Sequence, residues 1–96
     1  MAMTIGACSV ELQLHGVSSL KDKRSIVKPI LSRLRQEFQV AAAEVDHQDD
    51  WGTAVIGLAV VSNDQAHAHA VLEKCIDWIE RERLDVDLVT YEIEML

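Results

Sequence analysis

The chain has 96 residues, of which 49% are hydrophobic and 26% are charged, and its formal net charge at pH 7 is −7. This composition suits a single domain over residues 1–96 and excludes an intrinsically disordered chain, which needs low hydrophobicity. No apolar run approaches the ~20 residues of a membrane span, and the N-terminal residues do not have the pattern of a signal peptide. Cys8 and Cys75 lie far apart in the sequence and predict buried, reduced thiols in a cytoplasmic protein.

The first predicted element is a strand over Met3–Leu14, because apolar and polar residues alternate along it with a period of two. The residues that follow break this pattern, and Ser19 is a suitable helix N-cap. Over Leu20–Phe38 the apolar period becomes helical, which predicts a helix packed on a core. Pro29 falls inside this helix and lacks a backbone donor, so we expect it to bend or divide the helix.

Alternation predicts a second strand over Gln39–Asp46, followed by a polar hairpin connection. A third strand is predicted over Thr53–Val61, and its apolarity on both faces predicts that both faces are at least partly covered. Ser62 and Gln65 have the spacing of a capping box, which predicts a second helix that ends near Arg83.

A fourth alternating strand is predicted over Val86–Met95. The order β-α-β-β-α-β is that of the ferredoxin-like α+β fold, a four-stranded antiparallel sheet with two helices on one face. The chain has no further element to cover the second face of the sheet. We therefore expect a homodimer.

Six of the nine basic residues lie between Leu20 and Arg35 with one acidic residue, so this segment carries +5 and the rest of the chain carries −12. On a helix, four of them fall in one sector about 60° wide and form a basic stripe: Lys21, Arg24, Lys28 and Arg35. A solubilising face usually mixes charges, and cations in a first turn oppose the helix dipole. The stripe therefore predicts a surface that binds anions, helped by Lys23, while a plain solvated face stays open as the alternative.

The hairpin connection is a second candidate region. Its candidate partner-site residues are Glu44, Asp46, His47 and Trp51. Asp46, His47 and Asp49 also carry donors that suit a divalent cation or an acid–base pair. No metal-ligand spacing is matched, however, and turns are usually rich in such residues. The sequence therefore predicts no catalytic residues, no metal site and no cofactor.

Three motifs carry a resemblance to one family: Ser19-Leu20-Lys21-Asp22-Lys23-Arg24, Ala43-Glu44-Val45-Asp46-His47-Gln48-Asp49 with Trp51 beyond it, and Val60-Val61-Ser62-Asn63-Asp64. Over almost its whole length the chain resembles the YlxP-like bacterial family, domain-of-unknown-function family 503. The resemblance implies a small ferredoxin-like domain, often self-associating, without an established enzymatic activity. It also implies a role near ribosome maturation or translation, since such genes tend to lie beside those of translation initiation and ribosome-binding factors. The family's recurring positions correspond to Lys21, Lys23, Arg24, Glu44, Asp46, His47 and Trp51.

We therefore expect a non-enzymatic binding module whose basic stripe contacts the phosphates of structured RNA or of a ribosomal particle. The negative charge on the rest of the chain disfavours indiscriminate nucleic-acid binding. The alternative is a protein-interaction or regulatory module, in which the stripe meets an acidic protein or the sheet face serves as the interface. A metal-dependent enzyme centred on Asp46, His47 and Asp49 ranks third.

Overall fold

The computed structural model describes residues 2–96 and has the expected order of elements. The elements are β1 (Thr4–Leu14), α1 (Leu20–Phe38), β2 (Ala41–Asp46), β3 (Thr53–Ser62), α2 (Gln65–Glu82) and β4 (Val86–Met95). The strands form one antiparallel sheet in the order β2-β3-β1-β4, and both helices pack on the sheet. The ferredoxin-like α+β fold is confirmed.

The hydrophobic core lies between the sheet and the two helices. Every second residue of β1 is buried there, as the alternation predicts: Cys8, Val10, Leu12 and Leu14. The helices contribute side chains with no exposed surface: Ile30, Leu34, Leu72, Cys75 and Ile79. Both cysteine side chains are buried, as the sequence predicts for Cys8 and Cys75.

Pro29 does not divide the first helix, contrary to expectation, because α1 runs from Leu20 to Phe38 without interruption. Pro29 lies on the exposed side of α1, while its neighbour Ile30 is fully buried. The carbonyl group that loses its partner can therefore bind water, while core packing on the opposite side holds the helix together.

β1 begins and β3 ends one residue later than predicted, and the starts of β2 and α2 differ for reasons that the structure shows. β2 begins at Ala41, since Gln39 adopts a left-handed conformation (φ 55°) and ends α1 by donating its N–H to the carbonyl of Arg35. The N-cap of α2 is Asp64, whose carboxylate accepts a hydrogen bond from the N–H of Ala66 at 2.9 Å. The predicted capping box is therefore wrong: the hydroxyl of Ser62 accepts from the N–H of Asp64 instead.

The predicted alternation of β4 is interrupted by a register shift against β1, between Glu11 and Leu12. Thr90 pairs with Glu11 and Leu88 pairs with Leu12, so Val89 is an extra residue on β4. Val89 is 53% exposed, and Tyr91 just beyond it is 47% exposed. The bulge therefore takes Val89 out of the alternation, whereas Tyr91 still pairs with Val10 and is exposed because β4 is an edge strand.

Three connections meet at one end of the sheet. The N–H of Leu14 donates to the carbonyl of Gly52 at 2.8 Å, which joins the end of β1 to the β2–β3 connection. The N–H of His15 donates to the carbonyl of Asp85 at 3.3 Å, which adds the α2–β4 connection. Since α1 begins at this end, its first turns lie beside the β2–β3 hairpin, which carries the candidate partner-site residues.

Candidate functional site

The first turn of α1 is fixed by the one acidic residue of the basic segment. The hydroxyl of Ser19 accepts a hydrogen bond from the N–H of Asp22 at 3.0 Å, as expected of an N-cap. The Asp22 carboxylate accepts hydrogen bonds from the hydroxyl and the N–H of Ser18, at 2.9 and 3.1 Å, and these bonds lower the pKa of Asp22. Asp22 is therefore turned back toward the cap and is not paired with the stripe.

All four residues of the basic stripe are exposed to solvent, and three of them donate no side-chain hydrogen bond within residues 2–96: Lys21, Arg24 and Lys28. Their spacing of three and then four residues places them along one flank of α1. None of the three forms an ion pair with another side chain in residues 2–96. Their charges therefore face water, and we call these three residues the open cation row.

The expectation that Lys23 contributes to an anion-binding surface is wrong, because its side chain is only 2% exposed. Its ammonium group donates hydrogen bonds to the backbone carbonyls of His47 and Asp50, at 2.5 and 2.7 Å. It also lies 2.8 Å from Oε2 of Glu44, outside hydrogen-bond geometry, so this contact is an ion pair. Lys23 fastens α1 to the β2–β3 hairpin, and its burial keeps the ammonium group from contacting a ligand.

Arg35, the fourth residue of the predicted stripe, also makes an internal contact. Its Nε and Nη2 atoms donate to the carbonyl oxygen of Ala42, at 3.1 and 2.6 Å. This contact covers part of the outer edge of β2, where an unpaired strand would otherwise present free backbone groups. Arg35 is therefore a weaker candidate for binding an anion than the open cation row.

Arg33 occupies the opposite flank of α1. It forms an i, i+4 ion pair with Glu37 one turn later. Its guanidinium also lies 5.8 Å from the ring centre of Trp78 on α2. A cation in this position stabilises the contact between the helices. Arg33 therefore belongs to the helix–helix interface and not to the stripe.

The hairpin turn is ordered by His47 and Asp50. His47 adopts a left-handed conformation (φ 57°), and its carbonyl accepts a hydrogen bond from the N–H of Asp50 at 3.1 Å. The ring Nδ1 lies 2.6 Å from Oδ2 of Asp50, and this hydrogen bond raises the pKa of His47. Asp46 accepts a hydrogen bond from the N–H of His47, and Trp51 is 53% exposed. The turn is thus held by its own polar groups.

The four candidate partner-site residues therefore have different surroundings. Glu44 pairs with the buried Lys23, Asp46 and His47 organise the turn, and Trp51 is exposed beside them. The contact of Lys23 with the β2–β3 hairpin was not predicted from the sequence, although the sequence contains a signal for it. Lys23 precedes the buried Val27 by four residues, a spacing that places both on one face of a helix.

No group of three or more His, Cys, Asp or Glu side chains in residues 2–96 is arranged to hold a metal ion. On α2, Nδ1 of His69 lies 3.2 Å from Oε1 of Glu73, one turn later. Within the same residues, no helix is long and apolar enough to cross a lipid bilayer. What the geometry offers is a fixed helix with a row of exposed cations.

Residues 5–93 match the family described as a protein of unknown function (DUF503). Over 76 residues the chain is 32% identical to the uncharacterized protein YlxP of Bacillus subtilis (strain 168), and the match covers 79% of this chain and 83% of that protein. The de novo designed protein LFR1 1, described as having a ferredoxin fold, has a TM-score of 0.56 at 17% identity, covering 100% of this chain and 84% of its own.

A second designed protein, Foldit4, has a TM-score of 0.55 at 13% identity, and the match covers 98% of this chain and 96% of that one. At such identities the two designed proteins show the fold alone. The family match and the similarity to the Bacillus subtilis protein agree with the resemblance that the three sequence motifs carry. The chain belongs to the YlxP-like DUF503 family.

Proposed function

We propose that this protein is a non-enzymatic module that docks on structured RNA or on a ribosomal particle through α1. The observation that carries the proposal is the different use of the cations on α1. Lys23, Arg33 and Arg35 are used in internal contacts, whereas Lys21, Arg24 and Lys28 face solvent without an ion-pair partner in residues 2–96. Three unpaired cations in a row suit a row of phosphates.

The dimensions of the open cation row support this function. From Lys21 to Lys28 the helix rises by about 10 Å, at about 1.5 Å per residue. A duplex DNA strand carries one phosphate per ~3.4 Å of helix axis, so the length of the row corresponds to about three phosphate steps. Such contacts position a protein on a nucleic acid without recognising its sequence.

The rest of the molecule limits which polyanions bind. The chain carries −7 overall, so a long polyanion is repelled once it extends beyond the open cation row. Screening confines the attraction to about 8 Å at physiological salt. Both effects favour a shaped RNA surface that meets α1 alone over an extended nucleic acid.

The experiment compares two double variants that remove the same charge, by binding to small-subunit ribosomal RNA. R24Q/K28Q neutralises two cations of the open row, and K74Q/R81Q neutralises two exposed cations of α2. Loss of two phosphate contacts predicts about tenfold weaker binding by R24Q/K28Q. K74Q/R81Q should bind as the unmodified protein does. Equal affinity of the two variants would contradict the proposal.

An acidic protein surface is the second partner that the same cations suit. Binding to such a partner would survive nuclease treatment and would be lost in R24Q/K28Q. The homodimer predicted from the sequence is the rival use of the open sheet face, and sedimentation of the purified chain across a concentration series tests it. Two buried free thiols fit the reducing cytoplasm in which we place this function.

A further inference from the structure

The open face of the sheet carries a trough whose floor consists mostly of very small side chains, apart from Val45, which packs over Gly57. Across the four strands, one row is Ala41, Ala59, Ala7 and Glu94, and the next row is Ala43, Gly57, Ser9 and Glu92. These residues line a depression of about 480 Å³. A second depression, of about 350 Å³, shares Ser9 and Glu92 with the first and extends the trough to Glu11 and Tyr91.

The shape of the trough suits a helix lying along the strands. Small floor residues allow a helix backbone to approach more closely than the ~10 Å usual between packed layers. The two small rows span about 7 Å along the strands, a little more than one helical turn, and Glu11 and Val55 continue the face beyond them. An extended peptide would instead need the free backbone groups of a sheet edge.

The negative charge of this face indicates that a bound helix carries cations along one flank. Glu92 and Glu94 end the two rows on the same side, and residues two apart on a strand lie about 7 Å apart. Lys or Arg residues four apart on a helix have nearly this separation. None of the four strands contains Lys or Arg, so the strands contribute no positive charge to the trough.

We infer that the open sheet face binds an amphipathic helix of another protein, with small or aliphatic residues on the floor and Lys or Arg beside Glu92 and Glu94. The sheet of a second copy fits less well because it brings glutamates and no cations. The α1 helix of a second copy presents its open cation row next to Ser25 and Ser32, which offer no apolar side chain to the floor. This surface goes beyond the proposed RNA contact, since it lies on the side of the sheet away from both helices.

The test uses the full chain and a synthetic peptide of about 15 residues, long enough to form a helix. The peptide carries a Leu/Ala stripe with Lys at i, i+4 along one flank, and its control carries Glu in place of Lys. Backbone amide resonances of the protein are followed during titration. We expect saturable binding of the Lys peptide with the largest shifts at Ala7, Ala43 and Ala59, and no saturation with the Glu peptide.

Matched variants distinguish binding at this surface from nonspecific attraction of the cationic peptide to the negatively charged protein. E92Q/E94Q should weaken peptide binding about fivefold at low salt, whereas E80Q/E82Q, which removes the same charge from exposed positions on α2, should not. A59R fills the floor and should abolish binding, with an unchanged circular dichroism spectrum as the check on folding. R24Q/K28Q should leave peptide binding intact, which distinguishes this surface from the RNA site.

Three results would overturn the inference: amide shifts that map to α2, equal loss in E92Q/E94Q and E80Q/E82Q, or no saturable binding. A concentration-dependent dimer of the chain that A59R abolishes would also overturn it, because the face would then belong to a second copy.

Discussion

The ammonium nitrogen of Lys23 lies 2.5 Å from the carbonyl oxygen of His47, a residue 24 positions later in the sequence. This hydrogen bond joins the basic segment of α1 to the acidic hairpin. Two lysines only two residues apart therefore have different roles: Lys23 supports the fold, whereas Lys21 faces solvent. The proposed RNA surface is therefore smaller than the charge of the segment suggests, but its supporting helix is firmly held.

Replacing the buried lysine is predicted to destabilise the protein strongly. K23M leaves the carbonyls of His47 and Asp50 without their donor and the partly buried Glu44 carboxylate without its cation. Removing one partner of a buried pair typically costs about 3 kcal/mol or more. Urea unfolding measures the change in free energy, and we expect a loss of about that size.

The control for this prediction is K21M, which removes the same charge from an exposed position two residues earlier. Surface substitutions of this kind usually change stability by less than about 0.5 kcal/mol. If K23M and K21M unfolded at the same urea concentration, the internal role of Lys23 would be refuted.

Loss of the α1 cap is predicted to have a moderate effect. S19A removes the acceptor of the Asp22 N–H, and such a change typically costs about 1 kcal/mol. Thermal unfolding of S19A should show a lower Tm than that of S32A, which alters an exposed serine within the helix. A Tm of S19A equal to that of S32A would argue against the capping role.

The pKa of His47 is predicted to lie above its usual 6.5, mainly because the ring hydrogen-bonds to Asp50. A raised pKa in the folded state means that protonated His47 stabilises the fold below pH 6.5, and that this contribution is lost as pH rises through the folded pKa. NMR titration of the ring should show the raised pKa in the unmodified chain and a lower value in D50N. A pKa at or below 6.5 in the unmodified chain would contradict this account.

Both cysteines are predicted to be unreactive in the folded protein. Burial raises the pKa of Cys8 to about 11 and that of Cys75 to about 12, so very little reactive thiolate exists near neutral pH. Labelling with a disulfide reagent should be slow in buffer and should reach both thiols after denaturation. Rapid labelling of either residue in the native state would show that the core opens there.

The order of elements and the helical stripe could be predicted because they depend on local periodicity. Lys21, Arg24 and Lys28 lie on the flank of α1 where the helical period places them. The burial of Lys23 depends on the hairpin that folds over it, a contact that only the tertiary structure shows. The spacing from Lys23 to Val27 nevertheless indicates a core position for Lys23. Grouping Lys23 with the other basic residues of the segment by charge hid this indication.

Other differences arose where two elements meet. Nothing in the local pattern of β4 marks Val89 as an extra residue, since the bulge depends on its pairing with β1. The loss of Arg35 from the stripe likewise depends on the edge of β2, which lies close enough for Ala42 to accept its donors. Local pattern thus predicted which flank is basic, and tertiary contacts decided which of its cations remain free.

The salt dependence of binding to small-subunit ribosomal RNA, compared between the unmodified chain and K21Q/R24Q/K28Q, tests whether α1 docks on RNA. Three phosphate contacts predict a log–log slope of about −2.7 on duplex segments and about −2 on single-stranded ones. The triple variant should bind weakly with a slope near zero. Equal slopes and affinities for the two proteins would contradict the account and would remove α1 as the RNA-docking surface.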